Sequence, residues 1–127
     1  MNVEWLPGNG SPLLLPSVAG VYAEIHWPTG GVRIGETGRS IRAKIAHDLR
    51  WFKAMQNGTA GSAQLGRTLP IALAARKSGS EGFEFYVVSS DPRLLAKDLR
   101  QDVERFMFAW VRRQPGYVDW NRQVSWR

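Results

Sequence analysis

Residues 19–27 (AGVYAEIHW) place Val21, Ala23, Ile25 and Trp27 on one side of an extended backbone and Tyr22, Glu24 and His26 on the other. A period of two over this length reads as a half-buried β-strand. Pro28-Thr29-Gly30-Gly31 follows as turn chemistry, and Val32-Arg33-Ile34-Gly35 supplies a second short strand. The connection is too short for a crossover, so the pair folds as a hairpin. Whatever else the chain does must be built on that hairpin.

The remaining elements are read by the same means. Ser40 is a helix N-cap, and Ile41, Ile45, Leu49 and Phe52 recur at helical spacing, which predicts a helix over about 40–55. Residues 57–66 read as a loop and 69–76 as a short helix after Pro70. Phe83-Glu84-Phe85-Tyr86-Val87-Val88 is the most strand-like segment, rich in aromatic and β-branched residues. Asp91-Pro92 opens a long helix whose expected buried stripe is Leu95, Leu99, Val103, Phe106 and Trp110, and Pro115-Gly116 closes it. Residues 1–18 are expected to be a lead-in loop, and 117–127 a tail packed on the domain. The order β-β-α-α-β-α predicts an α+β fold: one domain, with a small three-stranded, mostly antiparallel sheet flanked by helices. Trp27, Trp51, Trp110, Trp120 and Trp126 are expected in its core.

Composition narrows the chemistry. The chain has 127 residues and no cysteine, which excludes disulfides, thiol nucleophiles and thiolate metal sites. Two histidines, His26 and His47, exclude a multi-histidine site. No apolar run is long enough to cross a bilayer, and the first residues carry an acid and a Gly/Pro turn where a signal peptide needs a basic flank. A cytoplasmic protein with no membrane partner is the expectation. The formal net charge is +6, and residues 33–77 alone hold nine basic side chains against Glu36 and Asp48. Such a focused basic patch suits a polyanion, nucleic acid being the commonest. A solvated basic face is the alternative on charge alone.

Gly20-Val21-Tyr22 on the first strand and Arg33-Ile34-Gly35 on the second resemble the paired signature elements of GIY-YIG nucleases. The resemblance runs on through Glu36-Thr37-Gly38-Arg39-Ser40-Ile41, then to Glu104 in the long helix and Asn121 in the tail, covering about residues 19–121. It implies a DNA endonuclease that hydrolyses phosphodiester bonds with one magnesium or manganese ion. Tyr22 would help activate the attacking water and Glu104 would hold the metal. Gly35 and Asn121 would have structural roles, Asn121 bracing the site. Two positions depart from the pattern. Arg33 stands where the family has its second tyrosine, and becomes a candidate phosphate clamp on an exposed strand position. Lys44 stands where the family has its arginine and keeps the charge without the bidentate fork. Arg42, about 160° away around the helix, is the other residue able to take that place, and His47 lies on nearly the same side as Lys44. Arg39, Arg50 and Lys53 would grip the DNA backbone. The alternatives are a catalytically impaired nucleic-acid-binding module on the same fold, and a protein-interaction domain with a basic face. No exposed heptad or paired interface argues for a dimer.

Overall fold

The structure is a computed structural model, and it describes residues 3–59 and 69–120. The elements in chain order are β1 (Trp5–Pro7), β2 (Gly20–His26), β3 (Gly31–Thr37), α1 (Ile41–Asn57), α2 (Leu69–Ser78), β4 (Phe83–Ser89), α3 (Lys97–Arg113) and β5 (Val118–Asp119), with 3-10 turns at Pro12–Leu14 and Pro92–Leu95. The expected hairpin is present. β2 and β3 pair antiparallel with Tyr22 opposite Gly35, Glu24 opposite Arg33 and His26 opposite Gly31.

The sheet is larger than three strands. Its order is β1-β4-β2-β3-β5. β4 returns antiparallel to β2, β1 pairs antiparallel with β4, and β5 runs parallel to β3. The two extra strands are short edge pieces of segments that composition marks as loop and tail. A three-residue strand and a two-residue strand carry too little alternation to be seen in sequence.

β2 is buried on both faces rather than half-buried, because helices cover the sheet on two sides. Tyr22, Phe83 and Phe85 point toward α1 and α2, where Ile41, Ile45, Trp51, Phe52, Met55 and Ile71 meet them. Phe52 stacks on Phe83 with ring centroids 4.6 Å apart. Each such side chain contributes roughly 1.5–3 kcal/mol by leaving water, so this face anchors α1. Val21, Ala23, Val32 and Ile34 point the other way, toward Phe108 and Val111 of α3. The lead-in is tied to the core by Leu6 and Leu15, both buried, and by main-chain bonds from Ile41 and Arg42 to Val18 and Pro16. Ser40 caps α1 as expected, its hydroxyl accepting from the Ala43 amide.

The long helix differs from its expected orientation. Asp91 caps the 3-10 turn, and α3 itself starts at Lys97. Its sheet-facing side carries Arg100, Phe108 and Val111, whereas Leu95, Leu99, Phe106 and Trp110 are 70, 39, 68 and 42% exposed. Of the apolar stripe read from the sequence, only Val103 packs against the core, and the other four residues face outward. Among the tryptophans expected in the core, Trp51 and Trp120 are buried, Trp27 and Trp110 are exposed, and Trp126 lies outside the described residues. No described helix is long and apolar enough to cross a membrane.

Candidate active site

The hairpin register and α1 together build a buried polar cluster. Tyr22 is 1% exposed, and its ring lies across Gly35, its partner on β3. A Cβ at position 35 would fall 2.4 Å from both Cζ and the hydroxyl oxygen of Tyr22, so only glycine leaves room for the phenol. Two residues along, Glu24 and Arg33 face each other across the strands, with Arg33 Nη1 3.2 Å from Glu24 Oε1. Asp48 of α1 completes the group from above, 3.6 Å from the same nitrogen. Both carboxylates are essentially inaccessible to solvent. Opposite charges directly across an antiparallel pair stabilise the sheet, and burial makes each dependent on the other.

The electrostatics follow from this packing. Burial drives the Tyr22 phenol far above the ordinary tyrosine range; Arg33 opposes the shift while Asp48 and Glu24 reinforce it. Its hydroxyl lies beside the Arg33 guanidinium without completing a well-aligned hydrogen bond. Burial alone would lower the Arg33 pKa, but Glu24, Tyr22 and Asp48 outweigh it and the guanidinium stays charged.

A second group forms on the opposite face, where α3 crosses β3. Arg100 donates from Nε to Glu36 Oε1 at 2.5 Å and from Nη1 to the carbonyls of Leu94 and Leu95 at 3.0 and 3.1 Å. Its guanidinium lies so close to Gly38 that a Cβ there would come within 2.9 Å of Nη2. One helical turn after Arg100 stands Glu104, half-buried, with no hydrogen bond or ion pair to it among the described residues. Its carboxyl is pushed up to about 7, first by burial and then by the Glu36 carboxylate, with Arg33, Arg105 and Arg100 partly offsetting both. β5 pairs only with Gly31 and Val32, so the edge of β3 from Arg33 to Thr37 has no strand partner among the described residues. The two groups meet electrostatically around that open edge, through Arg33.

The sequence-derived candidates separate as follows. Tyr22 and Glu104 arise from opposite faces of the sheet. Arg33 neighbours the Tyr22 phenol but is mostly buried and held by two carboxylates, not an exposed strand residue. Arg42 donates from Nε to the Leu15 carbonyl at 2.9 Å, which turns it toward the lead-in. Lys44 is half-buried, and His47, Arg39, Arg50 and Lys53 are exposed along α1 and its approach. Asn121 lies outside the described residues. An open cavity of about 840 Å³ at the far end of the sheet, lined in part by Pro7, Trp27, Ser80 and Glu84, contains none of these residues.

Glu24, Asp48 and Glu36 were missed. Each left a signal. Glu24 shares the Tyr22 face by simple alternation and the hairpin sets it opposite Arg33. Asp48 sits three residues after Ile45 and four before Phe52, an acid inside an apolar helical stripe.

No family model matches the chain, and no curated protein matches it significantly. Two solved structures share its fold. The catalytic domain of homing endonuclease I-TevI superposes with a TM-score of 0.55 at 20% identity, covering 84% of this chain and 99% of that one. A mutant of the catalytic domain of intron endonuclease I-TevI gives 0.54 at 17%, covering 78% of this chain and 89% of that one. The chain has a GIY-YIG-like fold.

Proposed function

We propose that the chain is a divalent-metal-dependent endonuclease that hydrolyses DNA phosphodiester bonds, with Glu104 as its metal-holding carboxylate. The observation that carries the reading is Glu104 itself: a half-buried acid, with no hydrogen bond or ion pair among the described residues, raised first by burial and then by the Glu36 carboxylate, and positioned at an open sheet edge. A carboxylate left in that state is poorly stabilised alone and well stabilised by a cation. The donor set fits magnesium or manganese. No group of three or more potential ligands occurs among the described residues, and such hard cations commonly keep most of their waters around one or two carboxylates. When bound, the ion would supply charge stabilisation for the phosphate and the leaving oxygen.

The protein's own residues have distinct proposed tasks. Exposed Arg39, Arg50 and Lys53 grip backbone phosphates and set the register of the DNA. Lys44 supplies a cation near the reacting phosphate, in the place that Arg42 gives up by bonding to Leu15. His47, exposed on the Lys44 side of α1, offers an imidazole as a general base. The Tyr22 phenol stays protonated and dry in this conformation, so its proposed role is to pack over Gly35 and keep the hairpin in register. Arg33 holds Glu24 and Asp48 rather than substrate.

Those same two features favour a second reading, a module that binds nucleic acid on this fold without cutting it. Plasmid nicking with magnesium or manganese separates them. Cleavage by the wild type, lost in Glu104→Gln while DNA affinity persists, supports the endonuclease. Salt-dependent binding with no cleavage, indifferent to Glu104→Gln, supports the binding module and rejects the assignment.

A further inference from the structure

Among the described residues, one face of the sheet is a helix short. Five strands spaced about 4.8 Å apart make a layer roughly 24 Å wide, which takes two helices of about 10 Å to cover. The Tyr22 face has α1 and α2. Among the described residues the other face has α3, lying on β2, β3 and β5, and the 3-10 turn with Leu94, lying on β2. The β4–β1 side is left with Tyr86 and a half-exposed Trp5 stacked on it. The outward stripe of α3 borders this bare strip: Trp110 packs on Tyr117 and Tyr117 on Trp27, both with ring centroids 6.3 Å apart. Contiguous exposed apolar surface of this kind marks an interface.

We infer that the exposed stripe Leu99, Phe106 and Trp110 is a homodimer seam, occupied by α3 of a second copy running antiparallel. The flanking charges decide both the partner and the direction. Counting about 100° per residue, one flank of the stripe carries Asp98 near the helix start and Arg113 at its end, both exposed. In an antiparallel pair related by a two-fold axis, like flanks meet end to end. With the axis at the stripe's midpoint, Asp98 and Arg113 stand about 10 and 13 Å from it along the helix, close enough for each Asp98 to reach the other copy's Arg113. α3 is thus its own complement in charge as well as in shape. A single-helix seam is smaller than the roughly 800 Å² per partner of a standard interface, so a micromolar equilibrium is expected.

Sedimentation equilibrium of the full chain over rising concentration tests this and reads mass alone, independent of any nuclease activity. A monomer–dimer equilibrium is expected. Asp98→Arg and Arg113→Asp should each weaken it by about tenfold or more, and their combination should restore it. Phe106→Lys, at an exposed site, should leave circular dichroism unchanged and the protein monomeric. A wild type that stays monomeric, leaving the stripe to a different protein or to the chain's own terminal residues, would overturn the inference. So would a dimer indifferent to Phe106→Lys. Loss of the dimer without rescue by the charge swap would overturn the antiparallel pairing.

Discussion

Replacing Arg33 with methionine removes a cation that contacts both Glu24 and Asp48 and keeps most of the side-chain volume. With an effective dielectric constant of about 20, contacts at 3.2 and 3.6 Å are each worth about 5 kcal/mol of gross attraction. Most of this is offset by the desolvation that all three groups have already undergone. What remains on removing one partner of a buried pair is about 3–5 kcal/mol, and the 22% exposure of the Arg33 side chain places the expected loss near 3 kcal/mol. Urea unfolding followed by circular dichroism at neutral pH measures it. A deficit below about 1 kcal/mol would show that Arg33 is not neutralising buried carboxylates.

Gly35→Ala should cost about 2–3 kcal/mol, the scale of overpacking a filled site, because its Cβ would fall 2.4 Å from a phenol with nowhere to go. Thermal unfolding measures it, and a change within about 0.5 kcal/mol would show that Tyr22 does not lie over this position. Glu104→Gln should stabilise the protein at alkaline pH. A carboxyl held at about 7 has lost its contribution once pH exceeds that value, so the neutral amide gains about 1 kcal/mol near pH 8, after discounting for exposure, and nothing below about pH 4.5. Urea unfolding of both proteins at the two pH values checks it; a stability difference that is the same at both would refute the raised carboxyl.

The hairpin, α1 and β4 could be read from sequence because each carries a local pattern of its own: alternation, a capped apolar stripe, a β-branched run. β1 and β5 could not, since three and two residues owe their strand state to the sheet they dock on. α3 was located correctly, but of its expected stripe only Val103 turns inward. Its apolar residues form a good stripe at helical spacing, yet the side turned to the sheet begins with Arg100, whose charge is satisfied by Glu36 and two carbonyls. Periodicity identifies an apolar face and says nothing of whether the chain itself supplies the cover. The site was half legible for a similar reason. Tyr22, Arg33 and Glu104 stand in recognisable surroundings, whereas Glu24, Asp48 and Glu36 acquire meaning only through cross-strand register and helix docking.

Manganese is paramagnetic, and its broadening of amide signals locates a bound ion directly. Titrating manganese into isotopically labelled protein should broaden first the amides around Glu104 and those of β3 from Gly35 to Thr37, and Glu104→Gln should abolish the effect. Broadening that centres elsewhere, or that survives the substitution unchanged, would contradict a metal centre on α3.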